Sequence, residues 1–475
     1  MSTIFKKNIK YIHMIVAFFL MAGIGLLPPI GEITKVGMEV LGIFVGLLYA
    51  WIFCGMLWPS LLGLLMLGLS DYSTVTDALA SGFGHPTVMF LFFLYIFCGA
   101  IDESGLMEVV GQFLVSLKIA QGKPYVMMFL LVFAAWLIGG VVSAVASVVL
   151  IWKVFSEICG YLEYKKGGKY ATLTIIGIFM AAMVGSAMFP FKVYGVLMLG
   201  VYESITGTAI DFLQYTILCM SVSFCIITAY VFVCKLFIRP QVSDKVIVVE
   251  RPKQLTGKQK KIAALLIGMV AAYFFPSIFP SEWRLIQLLN DLGTAGIMAI
   301  VVILCMIIHD NEKPLLEIKK AIHRGMSWEI YFLLMVVFPL STAIASDTTG
   351  ISSFVSDKLG VIFEGQSAFM FCFLTLAIGM LLSNVISNGV TPVIMLSIMI
   401  PIAAQLGIND MMLTCLLSVS MMTIILLPSG SPVVGLLINN DWVTRSDIYK
   451  YGAVILIISI AILTLIGIPL GNIVF

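Results

Sequence analysis

Residues 383–392 read SNVISNGVTP and bring hydroxyl and amide groups together inside an apolar stretch. That stretch, residues 365–440, contains Asp410 as its only charged residue. Gly389 and Pro392 interrupt a regular helix here, because glycine favours turns and proline removes a backbone donor. Polar, irregular backbone at membrane depth is tolerated only where protein or a wet cavity satisfies it. The segment therefore predicts half of a substrate and ion site.

The chemistry expected of this segment is ion binding by neutral oxygen atoms. Ser383 and Ser387 are four residues apart, which places their hydroxyls on one helical face, and Asn388 follows at the predicted break. Such oxygens suit a desolvated Na⁺, and helix N-termini that face the same cavity suit an anion. The alternative is that these small polar residues only pack two transmembrane helices together.

A second interrupted helix is predicted at residues 428–432, which read PSGSP in the middle of the apolar segment 411–440. As one straight helix that segment would measure about 45 Å, which exceeds a hydrocarbon layer of about 30 Å. Gly430 and the two prolines therefore predict a discontinuous helix whose ends meet near the midplane. Its first-half counterpart is residues 185–190, which read GSAMFP.

The first-half equivalent of the opening segment is poorer in polar groups. Residues 143–145 read SAV where residues 387–389 read SNG, so one hydroxyl remains and the amide is lost. Lys192 lies two residues beyond Pro190, and an unpaired lysine at that depth costs several kcal/mol. We expect its ammonium to replace a lost Na⁺ or to bind the anion directly. The alternatives are that it extends to the interface or pairs with a carbonyl.

The composition restricts the class of protein. Hydrophobic residues make up 61% of the 475 residues and charged residues 11%, whereas soluble domains carry about 25% charged residues. The sequence therefore predicts an all-α polytopic membrane protein in a lipid bilayer. The nine cysteines include no C-x-x-C pair and the four histidines lie far apart, which predicts no cofactor and no resident metal.

Eleven apolar segments are predicted to span the membrane, and two longer stretches, 125–161 and 366–408, are each two spans or a re-entrant hairpin. The eleven are 12–29, 34–53, 54–70, 86–102, 170–200, 211–235, 262–279, 292–308, 327–345, 411–440 and 451–472. With a cytoplasmic N-terminus, the inside segments hold 21 of the 27 Lys and Arg residues and the outside loops 3. We therefore predict a multi-pass cell-membrane protein with an extracytoplasmic C-terminus.

The basic segment 236–261 divides the chain into similar halves. We interpret its charge as topology-setting, in preference to a site for anionic lipid or nucleic acid. Three blocks recur at separations of 242 to 245 residues, among them 136–152 with 380–396. Each repeat holds an odd number of spans, so the second is predicted to be inverted. We predict an N-terminal segment at 1–33 and inverted repeats at 34–235 and 262–475.

The pattern resembles the divalent anion/sodium symporter family of dicarboxylate, citrate and sulfate carriers, within a broader ion-transporter superfamily. The resemblance is carried by SNG at 387–389 with Ser383, by Pro432 in the broken helix, and by the repeat order. That family has a Ser-Asn-Thr motif at the tip of each of two re-entrant hairpins and a Thr-Pro element in each broken helix. Here Gly389 replaces the threonine of the second motif.

The resemblance implies an elevator mechanism in a homodimer. Residues of about 12–118 and 262–360 would form a fixed scaffold, and about 125–235 and 366–475 a mobile transport region. The two long apolar stretches would be the re-entrant hairpins. The predicted substrate-binding residues are Ser387, Asn388, Gly389, Thr391, Ser143, Pro432 and Lys192, and the predicted Na⁺ ligands are Ser383, Ser387, Asn388 and Gly430.

The function predicted from these residues is secondary active transport of a small anion, with Na⁺ as the coupling ion. A di- or tricarboxylate is the first candidate and sulfate the second. A sodium-independent relative, driven by protons or by exchange with Lys192 in place of a sodium ion, is the main alternative. An ion channel and a membrane-embedded enzyme are alternatives of other classes. An enzyme is disfavoured because no His, Asp and Glu constellation lies within the apolar segments.

Overall fold

The computed structural model describes residues 3–116, 123–240, 254–363 and 365–475. Residues 241–253, half of the predicted basic linker 236–261, lie outside the described residues. The fold is all-α, as predicted, apart from a two-stranded antiparallel hairpin formed by β1 (His309–Asp310) and β2 (Lys313–Pro314).

The first half forms eleven described helices. They are α1 (Thr3–Gly23), α2 (Lys35–Phe53), α3 (Leu57–Leu69), α4 (Val75–Phe83), α5 (Pro86–Ser104), α6 (Leu106–Val115), α7 (Pro124–Val141), α8 (Ala144–Leu162), α9 (Lys169–Gly185), α10 (Val193–Thr206) and α11 (Phe212–Val233). A π-helical turn, Cys234–Ile238, extends α11.

The second half forms eleven more. They are α12 (Gly257–Ile278), α13 (Arg284–Ile307), α14 (Ile318–Gly325), α15 (Trp328–Ala345), α16 (Ile351–Phe363), α17 (Ala368–Val385), α18 (Thr391–Gln405), α19 (Asp410–Met421), α20 (Pro432–Ile438), α21 (Arg445–Ile462) and α22 (Ile468–Val474). A π-helical turn at Leu463–Gly467 joins the last two.

Ten of the described helical segments are long and apolar enough to cross a membrane, so this is a multi-pass membrane protein. The set differs from the eleven predicted spans. It includes α7, α8 and α17, which lie in the stretches 125–161 and 366–408 that were not counted among the eleven predicted spans. The predicted span 54–70 forms only the 13-residue α3. The spans 170–200 and 411–440 are each divided in two, because Gly and Pro residues interrupt their helical hydrogen bonds.

The order of elements is the same in both halves around the candidate site. A helical hairpin (α7 and α8, or α17 and α18) is followed by an interrupted helix (α9 and α10, or α19 and α20). Each hairpin packs on the interrupted helix of its own half, and α10 also packs on α18 of the other half. This packing brings the two predicted half-sites together. The inverted orientation of the repeats stays a prediction.

Polar contacts between distant loops are consistent with the predicted sidedness. Three such contacts are Lys258–Glu103 at 3.1 Å, Lys166–Asp441 at 2.8 Å and the Thr34 hydroxyl with the Thr348 carbonyl at 2.7 Å. Each contact joins two segments that the charge distribution assigns to the same side of the membrane. Which side is cytoplasmic stays a prediction.

Candidate functional site

The turn of the second hairpin is formed by residues 386–390, between the end of α17 at Val385 and the start of α18 at Thr391. The Ser387 carbonyl accepts hydrogen bonds from the N–H groups of Val390 at 3.0 Å and Thr391 at 3.1 Å. It also accepts one from the Thr391 hydroxyl at 3.1 Å. One carbonyl oxygen thus closes the turn, and the Thr391 side chain helps to fix it.

Ser383 and Ser387 do not share a helical face. Ser383 lies in the last turn of α17, whereas Ser387 follows Ile386, whose backbone is extended with φ −104° and ψ 155°. The expectation drawn from their four-residue spacing is wrong, because the helix ends between them. The Ser387 hydroxyl instead accepts a hydrogen bond from the Gly389 N–H at 3.3 Å.

Three polar atoms of this hairpin are buried without a hydrogen-bond partner among the described residues, and two of them lie at its turn. The two at the turn are Ser383 Oγ, on a residue that is 0% exposed, and Asn388 Nδ2, on a residue that is 4% exposed. The third is Ser397 Oγ, within α18. A buried polar group without a partner costs about 1–3 kcal/mol, so such groups are rare in folded proteins. A hydroxyl oxygen is suited to a cation, and an amide donor is suited to an anion.

The unwound segment of the second half, residues 422–431, lies directly against the hairpin. The Gly430 carbonyl accepts a hydrogen bond from the Asn388 N–H at 2.9 Å. A Cβ on Gly430 would lie 2.3 Å from the Ser383 carbonyl oxygen, so only glycine permits this approach. The break predicted at 428–432 is confirmed, although it is longer than predicted. Ten residues, 422–431, separate the end of α19 at Met421 from the start of α20 at Pro432.

Asn384 was recognised in the sequence only as one member of the polar run, and its role was missed. Its Nδ2 donates to the carbonyls of Met380 and Thr423, both at 2.9 Å. Its Oδ1 accepts from the N–H groups of Ile425 at 2.9 Å and Leu426 at 3.0 Å. The side chain therefore holds the hairpin and the unwound segment together. In the sequence, the only feature that pointed to this role was its position next to Ser383.

The first hairpin turns at Val142 and Ser143. The Ser143 hydroxyl caps α8 by accepting a hydrogen bond from the Ala146 N–H at 3.1 Å. Within the described part of the chain it bonds only to its own helix, so no hydrogen bond of its side chain links it to the second-half residues. Pro432 is exposed at the first turn of α20, and it too makes no polar side-chain contact with them.

Lys192 is buried, at 5% exposed, immediately before α10. Its ammonium donates to the Val141 carbonyl at 3.2 Å and also to the Val142 carbonyl. These carbonyls end α7, where the helix dipole favours a positive charge. Of the alternatives for Lys192, extension to the interface is therefore wrong and pairing with carbonyls is correct. The ammonium occupies the kind of position that a bound cation would take.

The two half-sites meet at Tyr194, in the first turn of α10. The Tyr194 hydroxyl lies near the Asn388 side chain of the second hairpin, without a hydrogen bond of standard geometry. Tyr215 of α11 makes a second link, since its hydroxyl bonds to the Ala187 carbonyl at 3.0 Å and to the Ser418 hydroxyl at 2.6 Å. The structure thus brings Ser383, Asn388 and Gly430 together, with Lys192 in the adjoining half.

A family model described as citrate transporter matches residues 46–389 of the 475. The chain belongs to the citrate transporter family. This confirms the resemblance to the divalent anion/sodium symporter type of the ion-transporter superfamily. The members of this family and the structural neighbours described below are transporters, so the chain is a membrane transporter and not an enzyme.

Two solved structures of transporters share the fold of this citrate transporter family chain. The YdaH transporter of Alcanivorax borkumensis superposes with a TM-score of 0.59 at 14% identity, covering 82% of this chain and 87% of that one. MtrF of Neisseria gonorrhoeae superposes with a TM-score of 0.57 at 12% identity, covering 82% and 83%. MtrF is described as representing a class of antimetabolite efflux pumps. At these identities the likeness concerns the fold alone.

One curated relative matches over a short range. An uncharacterized transporter of Synechocystis sp. is 32% identical over 119 residues. The match covers 25% of this chain and only 17% of that relative. It agrees with the assignment as a transporter and adds nothing about the substrate.

Proposed function

We propose that this protein is a secondary active transporter of a small anion, coupled to Na⁺ that binds in the second half. The anion is a di- or tricarboxylate, with sulfate as the second candidate. The observation that carries the proposal is the pair of buried, unpartnered atoms Ser383 Oγ and Asn388 Nδ2, beside the Gly430 carbonyl. One is an oxygen suited to a cation and the other a donor suited to an anion.

Helix termini around the same point supply matching partial charges. The C-terminal ends of α17 and α19 lie beside Ser383 and the unwound segment, and each carries roughly half a negative charge. The N-terminal ends of α18 and α20 follow the same turns and carry roughly half a positive charge each. A cation beside the first pair and an anion beside the second stabilise each other, because Coulomb terms are large in a low dielectric.

A second candidate is sodium-independent anion transport, driven by protons or by exchange. The observation that favours it is the bonding of Lys192 to the Val141 and Val142 carbonyls. When protonated, its ammonium supplies a positive charge in the first half. With that charge in place, fewer coupling ions are needed to balance an anionic substrate.

The movement that we propose is an elevator, in which the hairpins and interrupted helices move together against the scaffold at about 12–118 and 262–360. Packing of α10 on α18 and of α11 on α19, in addition to the packing within each half, supports the idea that these elements form one body. A homodimer would hold two scaffolds fixed in the membrane.

The test is uptake by the full-length protein in proteoliposomes, with labelled citrate, succinate or sulfate and an inward gradient of Na⁺ or of choline. Saturable uptake of one anion that requires Na⁺ supports the first proposal. Uptake that does not depend on Na⁺ but is driven by a proton gradient or by a counter-substrate supports the second candidate. A non-saturating conductance would instead indicate a channel and refute both.

A further inference from the structure

Asn384 is 1% exposed and has all of its side-chain hydrogen-bonding groups in use. One bond, to Met380, stays within α17. The other three reach across to residues 423–426, which follow the end of α19. Because both amide hydrogens and the oxygen are engaged, Asn384 has no remaining capacity to bind a ligand itself.

The three bridging bonds matter because the backbone of 422–431 is not helical. An unwound segment has no regular ladder to satisfy its N–H and C=O groups, so other partners must do so. Asn384 supplies partners for Thr423, Ile425 and Leu426, a few residues before Gly430 approaches Ser383. The neighbouring Ser383 hydroxyl is left unpartnered in the same region.

We propose that Asn384 is a positioning residue. It fixes the unwound segment 422–431 against the second hairpin and so sets the ligand affinity of the half-site formed by Ser383, Asn388 and Gly430. This inference rests on the proposed function, because the half-site is the one assigned there to substrate and ion.

Among the described residues, the amide bridge occurs in the second half only, because the first hairpin is held against its unwound segment by different contacts. At the repeat separation of 244 residues, the counterpart of Asn384 is Gly140. A Cβ on Gly140 would lie 2.2 Å from the Met188 methyl carbon and 2.9 Å from the Gly185 carbonyl oxygen. No amide side chain fits there, and Lys192 makes the bonds to the hairpin instead.

Two substitutions separate the contributions of the bridge. Asn384→Asp keeps the size of the side chain and the acceptor for Ile425 and Leu426 but loses both donors, whereas Asn384→Ala loses every bond. If the alanine variant does not insert and fold, the aspartate variant alone decides. The matched control is Asn439→Ala at the C-terminal end of α20. Asn439 is exposed, and among the described residues its side chain bonds only to the Gly435 carbonyl of that helix.

The first readout is amide hydrogen exchange of the full-length protein in detergent. Both Asn384 variants should exchange faster in 422–431, with no change at 186–192, the corresponding break in the first half. Unchanged exchange in 422–431 overturns the proposal.

The second readout is uptake as a function of Na⁺ and of anion concentration. The half-saturating concentrations should rise about ten-fold or more in Asn384→Ala, as for other residues that orient ligands, while the maximal rate stays within about two-fold. A reduced maximal rate with unchanged half-saturation overturns the proposal. If wild-type uptake does not depend on Na⁺, the sodium part of the proposed function fails. In that case the exchange data and the half-saturating anion concentration still test whether Asn384 is a positioning residue.

Discussion

Removing the Lys192 ammonium is expected to uncover a second site for Na⁺. In the wild type the ammonium donates to the Val141 and Val142 carbonyls at the end of α7. In Lys192→Ala these oxygens lose their donor while the helix dipole still favours a cation there. A Na⁺ ion from solution is expected to take the place of the ammonium.

The size of the effect follows from the two carbonyls. Each buried acceptor left without a donor costs about 1–3 kcal/mol, so the unfolding free energy should fall by about 2–6 kcal/mol without salt. At a Na⁺ concentration roughly ten times the dissociation constant of the new site, binding restores about 1.4 kcal/mol. The Lys192→Ala variant should therefore be stabilised more by Na⁺ than the wild type.

The assay compares thermal unfolding in NaCl and in choline chloride, and the steepness of uptake against Na⁺ concentration. The variant should gain the larger Na⁺-dependent stabilisation, and its Hill coefficient should rise from about one toward two. The matched control is Lys153→Ala, since Lys153 is an exposed lysine of α8 away from the hairpin turn. Equal responses of wild type and Lys192→Ala to Na⁺ would refute the reasoning that Lys192 replaces a cation.

Three further predictions concern single positions. Asn388→Ala should abolish uptake without changing membrane insertion, measured by surface labelling; full activity would remove Asn388 from the site. Gly430→Ala places a methyl group 2.3 Å from the Ser383 carbonyl oxygen, so it should lower the unfolding free energy by about 1–3 kcal/mol and impair uptake. The control Gly435→Ala, whose methyl group meets nothing within 4 Å, should change neither stability nor uptake. Burial lowers the pKa of His85, which precedes α5, from 6.5 to about 4. The unfolded chain therefore binds the proton first and stability falls as the pH drops from 6.5 toward 4, a fall that His85→Gln should flatten in thermal unfolding.

For the stretches 125–161 and 366–408, local chemistry left two spans or a re-entrant hairpin open. The membrane class and the two interrupted helices followed from it directly. Apolar length, charge placement and the glycine and proline breaks act over a few residues, and they were sufficient for these elements. The break at 428–432 was predicted in this way, but the unwound segment begins earlier, at residue 422. Near that start, Thr423, Ile425 and Leu426 bond to Asn384 of a separate helix, a contact that local patterns do not reveal.

The arrangement within the site depended on contacts that sequence patterns do not encode. The spacing of Ser383 and Ser387 suggested one face because it assumed a continuous helix, and the helix ends between them. Lys192 was recognised as anomalous from its depth alone. Its partners could not be predicted, because the carbonyls of Val141 and Val142 are about fifty residues away and any backbone carbonyl has the same chemistry.

The difference between the halves bears on which anion fits the proposed mechanism. Lys192 carries a charge that stays with the protein, whereas a Na⁺ in the second half would enter and leave with the substrate. Moving a net charge through a low-dielectric region is costly, so the loaded site moves most readily when its charges cancel. One lysine and one Na⁺ balance an anion of charge −2, such as succinate, sulfate or doubly ionised citrate. A monoanion would leave one positive charge uncompensated, and we infer that the site selects against it.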